Sequence, residues 1–166
     1  MTPKNIELDH VFLFVESRTV AEKMMDEAGL RANYSRSHPG QGTTNLCACL
    51  DDVFLELLWL DGSVMSEESE RVSLGKRGRG EGMPVGIAWR GDCPLKTDQY
   101  AAPFMPIGKG IPFARASNSL SVPFVFETPG GVPPILREDD LAGERQRPLY
   151  TTLLSCLVRL QEPEPA

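Results

Sequence analysis

Two segments of this 166-residue chain are apolar on both sides of an extended backbone, and they constrain the fold most strongly. Ile6–Val15 reads IELDHVFLFV and Val53–Leu60 reads VFLELLWL. Runs of this kind are typical of strands that are covered on both faces of a sheet. The chain has 14 prolines and 15 glycines, and the clustering of the prolines after residue 80 argues against a helical bundle. The sequence therefore predicts a sheet with packing on both sides.

A helix and two further strands are predicted between these segments. Thr19 and Glu22 have the spacing of a capping box, and Gly29 supplies a C-terminal stop, so one amphipathic helix follows the first strand. Strands are expected over residues 31–35 and 43–50. The resulting order, β-α-β-β-β, is a complete supersecondary unit.

The second half of the chain is interpreted as a degenerate copy of this unit. The expected elements are a short helix over 94–102 and strands over 84–90, 111–116, 121–128 and 151–160. The chain is therefore predicted to be a single α+β domain, residues 1–160, made of two βαβββ modules. Its expected parts are module one (5–60), a linker (61–82), module two (83–160) and a disordered tail (161–166).

The linker contains the basic run Gly75-Lys76-Arg77-Gly78-Arg79-Gly80. Phosphate or nucleic-acid binding is one interpretation of such a run. The run has no interleaved aromatic residues and no phosphate-loop pattern, so a solvated linker is the favoured interpretation.

Charge and composition limit the classes of molecule that this chain is expected to bind. Lys plus Arg is 17 and Asp plus Glu is 23, which gives a net charge of −6, so the chain has no general electrostatic reason to bind nucleic acid or an anionic membrane. No apolar run approaches the roughly 18–20 residues that cross a bilayer, and the first residues lack the apolar core of a secretory signal. The 4 cysteines form no CxxC pair. We expect a cytoplasmic protein with reduced thiols and a small-molecule ligand.

Two ionisable residues lie in the middle of the apolar strands. His10 is flanked by Asp9 and Val11, and Glu56 lies within Phe-Leu-Glu-Leu-Leu. A buried ionisable side chain needs a partner, a metal or a wet pocket. A histidine and a carboxylate are a common ligand pair for a divalent ion. A structural His–Glu pair without a ligand is the alternative.

His38 and Asn45 lie at either end of a Gly- and Pro-rich turn that leads into a strand. One interpretation places both at the rim of a cavity as ligand-binding groups, with His38 as a general base of near-neutral pKa. The alternative is turn chemistry, in which polar side chains satisfy loose backbone groups. Trp89 and Arg90 are further candidates, for an apolar pocket wall and for an anionic substrate respectively. The alternative for Trp89 is packing in the core, and the alternative for Arg90 is an exposed arginine at the end of a strand.

These motifs together resemble the glyoxalase-like branch of the vicinal oxygen chelate superfamily, which includes glyoxalase I, extradiol dioxygenases and bleomycin-resistance proteins. The resemblance rests on LDHVFLFV, on the stretch HPGQGTTN (residues 38–45), on FLEL after it, and on PFVFE (residues 123–127). It implies two modules that curl mixed sheets around a shared cavity. It also implies a metal-ligating histidine on the first strand and a glutamate on the last strand of a module, positions that His10 and Glu56 match.

The second module departs from the pattern of the superfamily. Gly86 or Ile87 stands where a ligand is expected, and Glu127 is the candidate for a third ligand. The resemblance therefore implies a protein that binds a small oxygenated molecule. In one hypothesis it is a lyase, isomerase or dioxygenase that uses Zn, Mn, Fe, Ni or Co, with His38 and Glu56 as catalytic candidates. A metal-free binding protein of the antibiotic-resistance kind and a structural module without a site are the alternatives. A homodimer is compatible with the resemblance.

Overall fold

Eight strands form one curled mixed sheet in the computed structural model, which describes residues 5–139 and residue 146. The strands are β1 (Glu7–Phe14), β2 (Ser37–His38), β3 (Thr43–Cys49), β4 (Phe54–Leu60), β5 (Val85–Arg90), β6 (Thr97–Tyr100), β7 (Ile111–Ala114) and β8 (Phe124–Glu127). The helices are α1 (Arg18–Glu27), α2 (Glu67–Arg71) and α3 (Leu74–Gly78), with 3₁₀ turns at Arg115–Asn118 and Pro134–Leu136. None of these helices has the length and apolarity that a membrane span requires.

The sheet consists of two halves with the same strand arrangement. Its order is β2-β3-β4-β1-β5-β8-β7-β6. β1 is parallel to β4 in the first half, and β5 is parallel to β8 in the second. In each half, the first strand thus pairs in parallel with the last strand that the structure describes there. This arrangement confirms the predicted α+β fold of paired modules.

The two halves meet where β1 pairs antiparallel with β5, and we call this junction the seam. Phe12 lies opposite Gly86, and His10 lies opposite Ala88. A Cβ atom built on Gly86 would stand 1.9 Å from Cε1 of Phe12. The ring of Phe12 therefore occupies the space above Gly86 and excludes any side chain there.

Apolar side chains pack on both faces of the sheet, as the two doubly apolar segments predict. Helix α1 covers the convex face, where the buried cluster comprises Ala21, Met25, Leu46, Ala48, Leu57 and Trp59. The concave face carries a second cluster, comprising Phe12, Phe14, Leu58, Val72, Leu74, Tyr100, Ala102, Ile111, Phe113 and Phe124. The second cluster draws residues from both halves, so it fixes their relative position.

The ends of α1 were predicted in part. Gly29 has φ +66° and follows the last turn, which confirms the predicted glycine stop. The predicted capping box is wrong, because the helix begins two residues earlier. Ser17 is the N-cap, and its hydroxyl oxygen accepts a hydrogen bond from the Val20 amide at 3.3 Å.

The segment 61–82 is not the solvated linker that its composition favours. It forms α2 and α3, and Arg77 within it is only 1% exposed. The guanidinium of Arg77 donates hydrogen bonds to the carbonyl oxygens of Ser117 (2.9 Å), Ser119 (3.0 Å), Met83 (3.0 Å) and Val122 (2.7 Å). These carbonyls replace the water that the buried cation has lost. Arg77 is therefore a structural clamp between the linker and the second half.

Three other predicted elements differ from the structure or lie outside it. The predicted helix over 94–102 is instead strand β6, because its backbone pairs with β7 and forms one edge of the sheet. The predicted strand over 31–35 is reduced to one isolated bridge between Tyr34 and Cys47. The predicted strand over 151–160 and the tail over 161–166 lie outside the described residues.

Replacing Gly86 with alanine is expected to lower the free energy of unfolding by about 1–3 kcal/mol, the usual cost of overpacking a core. The new methyl group would collide with the Phe12 ring. The smaller side chain of a Phe12→Leu variant relieves that collision, so the double variant should lose less stability than the sum of the two single variants. Urea denaturation of the three variants and the wild type measures this coupling. Additive losses would contradict the contact.

Candidate functional site

A cavity of about 380 Å³ lies on the concave face of the sheet, between the two halves. Its two walls differ in chemistry. The first half supplies the main polar groups, namely His10, Arg36, Ser37, His38, Gln41, Asn45 and Glu56. The second half supplies a mainly apolar wall that includes Tyr100, Phe104, Met105, Ile111, Phe124 and Phe126. The cavity is thus suited to a molecule with one polar end and an apolar body.

His10 projects from β1 into this cavity and is held by its sequence neighbour. Its Nδ1 lies 2.7 Å from Oδ2 of Asp9, and the histidine is 6% exposed. The Asp9 carboxylate also accepts hydrogen bonds from the Thr128 hydroxyl at 3.0 Å and from Nη1 of Arg90 at 3.2 Å. The register of β1 against β5 shifts between Leu8 and His10. This irregularity allows Asp9 and His10, which are adjacent in sequence, to contact each other.

The carboxyl group of Asp9 is ionised. Burial raises its pKa, but the hydrogen bond and charge of His10, with the Thr128 and Arg90 hydrogen bonds, outweigh burial and hold the pKa below its usual value. A carboxylate only accepts hydrogen bonds, so Nδ1 of His10 carries the proton between them. When this imidazole is neutral, its lone pair is on Nε2.

Glu56 projects from β4 and faces that lone pair. Its Oε2 lies 3.5 Å from Nε2 of His10, which is longer than the roughly 2.7–3.2 Å of an ordinary hydrogen bond. Its Oε1 accepts a hydrogen bond of 2.6 Å from the side-chain amide of Asn45. Asn45 is fixed in turn, because its Oδ1 accepts the Arg36 backbone N–H at 2.8 Å. Asn45 therefore orients Glu56 so that Oε2 is directed at His10.

His10 and Glu56 together present two acceptor atoms at the polar end of the cavity. Two lone pairs at this distance repel unless a proton donor or a cation satisfies them. A bound molecule with O–H groups would satisfy both atoms, and so would a divalent ion. The pair is therefore a site for a hydroxylated ligand or for a metal.

The described residues of the second half, up to 139, add no third ligand to this pair. Gly86 lies beneath Phe12, and the ring of Phe126 stands edge-on to His10 with its centroid 5.4 Å away. Phe124 and Phe126 line the cavity, so strand alternation places Glu127 on the other face of β8. Within residues 5–139 and 146, no group of three or more His, Cys, Asp or Glu side chains is arranged to hold a metal ion.

His38 lines the cavity from β2 and ends a buried chain of hydrogen bonds. The Ser69 hydroxyl lies 2.8 Å from the Tyr100 hydroxyl, which donates to Oε1 of Gln41 at 3.1 Å. The Gln41 amide donates to Oγ1 of Thr43 at 2.8 Å, and that oxygen lies 3.0 Å from Nδ1 of His38. With Gln41 donating to it, the Thr43 hydroxyl has its own proton available for His38 Nδ1. In the tautomer in which Nδ1 accepts this proton, the neutral imidazole carries its N–H on Nε2.

Burial lowers the pKa of His38, and the nearby Arg36 charge adds to this effect against the opposing charge of Glu56. His38 is therefore neutral at neutral pH and is a weaker base than the sequence-based hypothesis assumes. In the tautomer described above it is a hydrogen-bond donor to the cavity.

The remaining candidates from the sequence lie away from the cavity. Trp89 is buried and does not line it, and neither does Arg90. Arg90 instead contacts Glu7 at 3.0 Å and Asp9 at 3.2 Å, so it acts on His10 only through Asp9. Asp9, Thr128 and Gln41 were not predicted from the sequence, although the position of Asp9 directly before His10 was a signal.

A curled sheet of two equivalent halves around such a cavity is the architecture that the resemblance to the vicinal oxygen chelate superfamily implies. Residues 8–108 match the family model described as a glyoxalase-like domain. The match covers more than half of the chain, and the chain belongs to this family. No curated protein matches the sequence.

Solved structures give a likeness of fold. A hypothetical protein from Bacillus halodurans is 18% identical, with a TM-score of 0.50 over 76% of this chain and 96% of that chain. A Streptomyces coelicolor methylmalonyl-CoA epimerase in complex with 2-nitronate-propionyl-CoA is 14% identical, with a TM-score of 0.49 over 77% and 98% of the two chains. A methylmalonyl-CoA epimerase in complex with methylmalonyl-CoA and ammonium is 14% identical, with a TM-score of 0.48 over 76% and 97%. At 18% identity, the similarity to the Bacillus halodurans protein shows the fold alone.

The stability of the protein should depend on pH through His38. Its pKa in the folded state is below the value of about 6.5 in an unfolded chain, so the unfolded state binds more protons near that pH. Stability therefore falls as pH falls through this range. A His38→Gln variant cannot titrate, so its free energy of unfolding relative to the wild type should rise between about pH 7.5 and about pH 5.5. A difference that is constant with pH would contradict a buried neutral imidazole.

Proposed function

We propose that this protein binds a small hydroxylated molecule with an apolar body in the cavity between its two halves. The carrying observation is the convergence of two acceptors, Nε2 of His10 and Oε2 of Glu56, 3.5 Å apart at the polar end of that cavity. Hydroxyl groups on neighbouring carbon atoms of a ligand would donate one hydrogen bond to each acceptor. A vicinal diol or a catechol has this arrangement.

The aromatic residues around the pair suit the rest of such a ligand. The Phe54 ring is stacked on His10 with centroids 4.2 Å apart, and Phe126 stands edge-on to it. Both rings line the cavity. They exclude water from the acceptors, which strengthens the hydrogen bonds that a ligand makes there.

The same groups support proton transfer from the bound hydroxyl. Nε2 of His10 is placed to accept a proton, and the ionised Asp9 on Nδ1 would stabilise the imidazolium that forms. Glu56, whose carboxylate is held by Asn45, would orient the hydroxyl group. The N–H of His38 is available to an oxygen at the other side of the ligand. A lyase or isomerase reaction that begins with deprotonation fits these roles.

A divalent metal at the same pair is the second candidate. The Asp9 carboxylate fixes Nδ1 of His10 and leaves Nε2 free, which is the usual support of a metal-ligating histidine. His10 and Glu56 fit such an ion as two of its ligands, and the ligand or water would complete its coordination. A bound divalent ion would supply polarisation of the substrate oxygen.

Catechol is the probe for the first candidate, with phenol as the matched compound that lacks one hydroxyl. Catechol should bind to metal-free protein about tenfold more tightly than phenol, because one hydrogen bond to a charged group is at stake. Glu56→Gln should remove this preference, and Glu67→Gln on exposed α2 should retain it. Isothermal titration of the three proteins with the two compounds measures the six affinities. Equal affinity of the wild type for the two compounds would overturn the proposal.

Metal content tests the second candidate. Protein purified without chelator or affinity metal should contain close to one equivalent of Zn, Mn, Fe, Ni or Co, and the His10→Ala, Glu56→Ala double variant should contain none. Because Glu127 lies on the other face of β8, Glu127→Gln should retain the metal. Loss of the metal in Glu127→Gln would restore the three-ligand site of the sequence-based hypothesis. Absence of metal from the wild type would exclude the second candidate and leave the first.

A further inference from the structure

We infer that Arg36 binds an anionic group of the ligand, so that the substrate class is a small hydroxylated organic anion. This inference rests on the proposed function and adds a second binding determinant to the same cavity. Three observations support the inference. They are the position of Arg36, the lack of an acidic partner for its side chain among the described residues, and the contacts that hold its backbone.

Arg36 lies where two cavities adjoin. It lines the cavity of the His10–Glu56 pair and also a neighbouring cavity of about 550 Å³, and both cavities share Tyr34, Phe54 and Thr128. Arg36 is exposed, and its guanidinium lies 5.9 Å from the centroid of the Tyr34 ring. A ligand with its hydroxyl end at His10 would therefore extend past this cation at the mouth of the first cavity.

Most other exposed arginines in the described part of the chain are neutralised by an acidic side chain. Arg18 pairs with Glu22 at 2.8 Å, Arg71 with Glu68 at 2.8 Å, and Arg79 with Glu81 at 2.8 Å. Arg115 pairs with Asp98 at 3.1 Å. Arg36 has no acidic partner within residues 5–139 and 146, although acidic residues outnumber basic ones by 23 to 17 in the whole sequence. Its charge is therefore available to a ligand.

The backbone of Arg36 is fixed by the same residue that orients Glu56. The Arg36 N–H donates to Oδ1 of Asn45 at 2.8 Å, and the Asn45 N–H donates to the Arg36 carbonyl at 2.9 Å. The Asn45 side-chain amide donates to Glu56 at 2.6 Å. One asparagine thus sets the separation between the anion-binding cation and the hydroxyl-binding carboxylate, which is what a specific two-point site requires.

Opposite charges at the two points would also fix the direction of the ligand. An anionic group is repelled by Glu56 and Asp9 and attracted by Arg36, while hydroxyl donors are attracted by the carboxylate. A guanidinium accepts a carboxylate or a phosphate through two parallel hydrogen bonds. The shared chemistry is an anionic oxygen group, and the test separates its two sources.

Four probes of similar shape test the inference, namely 3,4-dihydroxybenzoate, 3,4-dihydroxybenzamide, catechol and benzoate. In the wild type the dihydroxybenzoate should bind about tenfold more tightly than the neutral amide. Arg36→Gln should abolish that preference, so that the variant binds the dihydroxybenzoate and the amide with equal affinity. Arg115→Gln, which removes a distant exposed arginine, should keep the preference. Displacement of dihydroxybenzoate by inorganic phosphate but not by acetate would identify a phosphate as the natural group, and the reverse order would identify a carboxylate.

The outcomes distinguish this inference from the proposed function. Equal affinity for the benzoate and amide probes, or a preference that survives Arg36→Gln, overturns the role of Arg36 even if catechol binds. Binding of benzoate that depends on Arg36, without binding of catechol, supports the role of Arg36 and overturns the hydroxyl site. Binding of none of the four probes, with no effect of inorganic phosphate on thermal stability, overturns both.

Discussion

The antiparallel pairing of β1 with β5 is the interaction on which the rest of the structure depends. It joins the two halves of the sheet into one layer and places Phe12 over Gly86. The same contact determines the chemistry of the cavity, because a glycine beneath a phenyl ring cannot carry a ligand. The polar groups that line the cavity come mainly from the first half, and the second half supplies mainly apolar side chains.

The parts of the fold that the sequence predicts are those with a local signal. Segments β1 and β4 are apolar on both faces, and Gly29 stops α1 with a positive φ. Strand β6 has no such signal, because its residues Thr97–Tyr100 are polar and form a strand only through pairing with β7. Arg77 was misassigned for a similar reason: the carbonyl groups that make its burial favourable come from residues 6 to 45 positions further along the chain.

The sequence predicts some residues of the candidate site, and others depend on the folded surroundings. His10, Glu56, Asn45 and His38 all line one cavity, as their unusual positions in apolar strands and at a turn suggested. Strict alternation along a strand would place Asp9 on the opposite face from His10. The register shift between Leu8 and His10 removes that alternation. No pattern in the sequence predicts this shift. The weak basicity of His38 likewise arises from burial, which depends on the folded surroundings.

The clamp formed by Arg77 has a consequence for how two copies of this chain would associate. Exchange of halves between chains needs a connecting segment that opens and straightens. Here that segment is tied to the second half by a buried cation with carbonyl partners at Ser117, Ser119 and Val122, all of which would be left unsatisfied on opening. The clamp therefore opposes opening of this segment, and with it an exchange of halves through the segment.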